Sequence, residues 1–64
     1  MNAQNLERLR ERYIRRIKNP SKRAYAHAYL AWKLRGESDE APEHPGIGTM
    51  AAQAVRMAVE HEFR

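Results

Sequence analysis

Ile17-Lys18-Asn19-Pro20-Ser21-Lys22-Arg23-Ala24 decides the fold of this 64-residue chain. Proline lacks an amide hydrogen and disfavours helical geometry in the residue before it, so a helix arriving from the N-terminal side stops here. Asparagine is a good N-cap and proline is preorganised for a first helical turn, so the same dipeptide opens a new helix. One helix therefore ends near Lys18 and the next begins at Pro20.

Upstream of this corner, Leu6, Leu9, Tyr13 and Ile17 recur at spacings of three and four. They form a narrow apolar stripe on one side of a helix over about 3–18, with Ile14 at its margin. Asn2 or Asn5 is expected to cap its start. Downstream, good helix formers run to Arg35, and Gly36 supplies the usual left-handed end of a helix over about 20–35. Ala24, Tyr25, Ala28, Tyr29, Leu30, Ala31, Trp32 and Leu34 project over about two-thirds of its circumference. Lys22, Ala26 and Lys33 are left as its outer side.

Residues 36–48 hold two of the three prolines, all three glycines and no helical period. They read as an acidic, solvated Pro/Gly linker. A third helix follows over about 49–63, with Thr49 as its expected N-cap and Gln53, Arg56 and Glu60 as its wet strip. The fold class is all-α: one small three-helix domain spanning residues 1–64.

A chain this short buries only about 60% of its unfolded surface, so its core is marginal and needs support. Cysteine is absent, which removes disulfides and thiolate zinc sites. Homodimerisation is the expected support, through the apolar surplus of the second and third helices. Its expected interface residues are Tyr25, Tyr29, Leu30, Trp32, Val55 and Val59. No stretch approaches the roughly 20 apolar residues that span a bilayer. Met1 to Asn5 do not resemble a secretory signal, and a cytoplasmic location is expected.

Charge is distributed unevenly. The net charge is +4 and the isoelectric point near 10.0. Residues 1–36 carry ten Lys or Arg against Glu7 and Glu11, a balance of +8. Residues 37–45 carry Glu37, Asp39, Glu40 and Glu43, a balance of −4, and the remainder sums to zero. Arg8/Arg12 and Arg12/Arg16 are like-charge neighbours at i, i+4, each costing a helix about 0.2–0.5 kcal/mol. Arg8, Arg12, Arg15, Arg16, Lys18, Lys22 and Arg23 are the expected nucleic-acid contacts, with RNA favoured over DNA or another polyanion. Tyr25, Tyr29 and Trp32 offer stacking platforms beside them. The acidic linker is a candidate internal mimic of the polyanion, shielding the basic corner.

Catalysis has no foothold in this sequence. Ser21 and Ser38 lack a base–orienter arrangement, and Gly46-Ile47-Gly48 lacks the remaining residues of a phosphate loop. His27, His44 and His61 do not show metal-ligand spacing. No enzyme activity, metal or cofactor is expected. The alternative to nucleic-acid binding is a protein-binding module, an inhibitor or adaptor of the kind mobile elements encode. It would grip a partner with the apolar faces of the second and third helices.

Ala24-Tyr25, Ala28-Tyr29, Ala31-Trp32 and Gly36, followed by a proline-containing linker and another helix, resemble the ribosome modulation factor group. The resemblance covers residues 24–63. It implies two helices joined by a linker in a small basic protein that binds ribosomal RNA. The chain departs from that pattern in lacking the linker's cysteine-proline-tyrosine, and in carrying Met57-Ala58 where the group has glycine-tryptophan.

Overall fold

Asn19 caps a helix as its position predicts. Its Oδ1 accepts from the amides of Ser21 at 2.9 Å and Lys22 at 3.2 Å, and Pro20 is the first helical residue. The computed structural model describes residues 3–44 and 46–63. Among them lie helices α1 (Ala3–Arg12), α2 (Pro20–Leu34) and α3 (Thr49–Glu62), with a 3-10 turn at Ile14–Arg16 and no strand. The three-helix, all-α reading of the sequence holds.

The end of α2 is a Schellman motif. The Gly36 amide donates to the Lys33 carbonyl at 3.0 Å and the Glu37 amide to the Trp32 carbonyl at 3.2 Å. Gly36 takes a φ of +82°, as the motif requires, and Glu37 follows at +58°. A side chain is rarely tolerated there, and the Glu37 carboxylate is paired with Lys33 one turn back.

The first helix is shorter than its periodicity predicts. It stops at Arg12, Tyr13 leaves helical geometry at φ −119°, and a 3-10 turn carries the chain on. The physical reason lies in the two isoleucines. A 3-10 turn has three residues per turn, so Ile14 and Ile17 stand one above the other. Both enter the core beside Leu9, whereas Tyr13 is only partly buried. Burying an isoleucine contributes about 1.5–3 kcal/mol, which exceeds the loss of one helical turn that also held a like-charge arginine pair. Ile14, the marginal residue of the predicted stripe, is fully buried.

Caps differ at two further places. Asn5 lies inside α1, so it does not cap it, and Asn2 lies outside the described residues. Gly48, in extended geometry, is the N-cap of α3; its carbonyl accepts from the Ala52 amide at 3.0 Å, and Thr49 is the first helical residue.

The core joins Leu9, Ile14 and Ile17 to Tyr25, Ala26, Tyr29 and Leu30 of α2, and to Ala52, Val55 and Val59 of α3. This corrects the expected orientation of α2 in part: Tyr25, Tyr29 and Leu30 face inward as expected, but several of the remaining positions do not. Ala26 is fully buried and the Lys33 side chain is only 15% exposed, whereas Ala24, Ala28, Ala31 and Leu34 face solvent. The area at stake explains it: orienting two tyrosines and a leucine inward removes far more apolar surface than orienting three alanines inward. Lys33 tolerates the inner side because its ammonium lies over the rings of Trp32 and Phe63 and reaches Glu37 and Glu60.

The linker is tied to the helices. Trp32 donates from its indole nitrogen to the Asp39 carbonyl at 2.8 Å, His44 meets Tyr25 edge-on at 6.0 Å, and Ile47 packs on the core. Pro45 lies outside the described residues.

Candidate nucleic-acid interface

The break in the first helix gathers positive charge. Because the chain turns at Tyr13 and again at Asn19, Arg12, Arg16, Lys18 and Lys22 converge on one open recess of about 390 Å³ with Tyr13. Its lining contains no carboxylate, and none of these four cations is ion-paired among the described residues. The first turn of α2 opens beside it and adds the positive end of a helix dipole. The amides of Ser21 and Lys22 are taken by Asn19 Oδ1, that of Arg23 donates to the Asn19 carbonyl at 2.9 Å, and Pro20 has none. The side-chain cations therefore define this recess, not free backbone donors.

The seven expected contact residues separate by role. Arg12, Arg16, Lys18 and Lys22 stand together in the recess. Arg15 is engaged by Glu11 at 2.6 Å. Arg23 donates from Nη1 to the Ile17 carbonyl at 3.0 Å, holding the corner closed. Arg8 lies along a second groove of about 290 Å³ between α1 and α3. Leu9, Tyr13 and Ala58 give that groove an apolar lining; Arg8 and Arg12 belong to its α1 side and Glu62 to its α3 side. Burial raises the Tyr13 phenol above its usual value, so Tyr13 is uncharged beside the arginines at neutral pH.

A third hollow, of about 410 Å³, brings Arg10 and His27 beside Arg15 and Arg23. Arg10 is outside the set expected from sequence, because Arg23 and His27 reach this hollow from α2 and share no sequence spacing with it. His27, His44 and His61 occupy separate surroundings: this hollow, the edge of Tyr25, and the groove beside Ala58.

The remaining expectations for the site are corrected. Tyr25, Tyr29, Leu30, Val55 and Val59 are buried in the chain's own core, and Trp32 is half-buried. The five buried residues are not available as an interface while the fold is intact. Tyr25 and Tyr29 are equally closed to bases, and Trp32 is held by Asp39. Two of the linker acids are held away from the basic corner. Glu37 pairs with Lys33 and Asp39 with Arg35 at 3.2 Å, at the opposite end of α2. The exposed apolar side chains of α3 are instead Met50, at 84%, and Met57, at 63%.

No helix among the described residues is long and apolar enough to cross a membrane. No family model, curated protein or solved structure matches this chain.

Proposed function

We propose that this protein is a small accessory factor, without enzymatic activity, that binds nucleic acid through the recess formed by Arg12, Arg16, Lys18 and Lys22. The observation that carries this reading is four cations, none of them ion-paired among the described residues, lining one hollow with no carboxylate in its lining. Holding like charges together is unfavourable until an anion neutralises them, and successive phosphates do so with release of counterions. Contacts of this kind hold the backbone and carry no base information by themselves. RNA is favoured over DNA, in keeping with the resemblance of residues 24–63 to a ribosomal RNA-binding group, and a cytoplasmic setting goes with it. Affinity capture from lysate with and without nuclease tests the reading: the retained material should be RNA, and ribonuclease should release it.

A second reading rests on the outward side of α3. Met50 and Met57 are exposed on it with Ala54 between them, and methionine adapts readily to varied apolar surfaces. This row, in place of Leu30 and Val55, is where a protein partner or a second copy of the chain would sit. A protein that stays bound after nuclease, and is lost on Met57→Glu, would favour it.

A further inference from the structure

The basic recess and the groove between α1 and α3 are neighbours, because Arg12 and Tyr13 line both. Their chemistry differs sharply. The recess sets Arg12, Arg16, Lys18 and Lys22 around Tyr13, Ile17 and Asn19 with no carboxylate, whereas the groove has walls of Leu9, Tyr13 and Ala58, with Arg8 and Arg12 on its α1 side and His61 and Glu62 on its α3 side. An unpaired nucleotide has the same division, a charged phosphate next to a flat apolar base. We infer that the two hollows together form a seat for one unpaired nucleotide, its phosphate in the recess and its base in the groove against Tyr13. This deepens the nucleic-acid reading and rests on it.

Three features fix the orientation. The recess carries four cations and no carboxylate, whereas the groove sets Glu62 against Arg8 and Arg12, so the anion belongs among Arg12, Arg16, Lys18 and Lys22. The half-buried Tyr13, kept neutral at ordinary pH, offers the base an uncharged surface. The groove measures about 290 Å³, against roughly 300 Å³ for the smallest ligand sites, which gives room for one base. A paired base is stacked within its duplex and cannot enter, so the seat selects single strands.

The test compares three probes of equal total phosphate number by fluorescence anisotropy: a short oligoadenylate, an oligoadenylate of half that length fully paired with oligouridylate, and an abasic ribose-phosphate strand of the full length. The wild-type protein should bind the oligoadenylate about tenfold more tightly than the abasic strand, in line with base stacking on an aromatic side chain. The duplex should bind no better than the abasic strand. Ala58→Leu, which fills the groove while keeping a good helix former, should lower oligoadenylate binding to the abasic level and leave abasic binding unchanged. Equal binding of oligoadenylate and abasic strand by the wild-type protein overturns the seat while leaving phosphate binding standing. Failure of all three probes to bind removes the nucleic-acid reading and the seat with it. The wild-type comparison decides even if Ala58→Leu fails to fold.

Discussion

The phenol of Tyr29 donates to Oε1 of Glu60 at 2.8 Å, joining the second half of α2 to the last turn of α3. Burial, reinforced by this hydrogen bond and by the Glu60 charge, raises the Tyr29 phenol well above its usual 10.0. Tyr29→Phe should lower stability by about 1 kcal/mol in urea unfolding, near the low end for a bond to a charged acceptor because Glu60 is partly exposed. The pH dependence follows from linkage. An unfolded chain releases this proton near pH 10, whereas the folded one retains it, so the stabilisation is complete below about pH 10 and is lost as pH rises. Tyr29→Phe should flatten that alkaline loss. Tyr13 and Lys33, raised in the same direction, keep part of it.

Lys33 sits at the centre of the same contact, with its ammonium paired to Glu37, 3.7 Å from Glu60, and 5.9 and 5.6 Å from the ring centres of Trp32 and Phe63. Lys33→Ala removes charge and stem together and should cost about 1–2 kcal/mol. Lys33→Met retains the apolar stem and should cost clearly less. Equal losses in thermal unfolding would mean that the packing of the stem contributes nothing.

Positions on the two sides of the helices should respond oppositely to charge. Val55 and Leu30 are fully enclosed, so Val55→Asp or Leu30→Asp buries an unpaired carboxylate and should abolish the helical circular dichroism. Even Leu30→Ala should cost about 2–5 kcal/mol, a large part of what a domain of this length holds. Met57→Glu adds a charge to an exposed site and should leave the spectrum unchanged. A folded Val55→Asp variant would place that residue outside the core.

The corner at Asn19-Pro20 and the end of α2 at Gly36 were legible in the sequence because each depends on a backbone requirement that few residue types meet. Asn19 supplies the acceptor and Gly36 the positive φ. The break at Tyr13 was not legible, since Leu6, Leu9, Tyr13 and Ile17 fit an unbroken helix perfectly well. Only the three-dimensional demand to bury Ile14 with Ile17 selects the 3-10 turn. The inner side of α2 was obscured by its alanines, which count as apolar but offer little area, and by Lys33, whose charge hides a buried stem. At the site, the basic character of the corner was visible, but its division was not. Glu11 and the Ile17 carbonyl engage Arg15 and Arg23, and that depends on how the chain turns.

Binding of a short single-stranded RNA, followed by anisotropy between roughly 50 and 200 mM salt, separates the four recess cations from the rest of the basic half. With a slope of about −0.7 per phosphate contact, three or four contacts give a log–log slope of about −2 to −3. Arg16→Gln with Lys22→Gln should flatten it by about 1.4 and leave helicity intact. Arg15→Gln, which removes an arginine already held by Glu11, should leave the slope unchanged. A salt-independent affinity, no detectable binding at low salt, or a double variant that binds like the parent would each mean that these four cations do not hold phosphates.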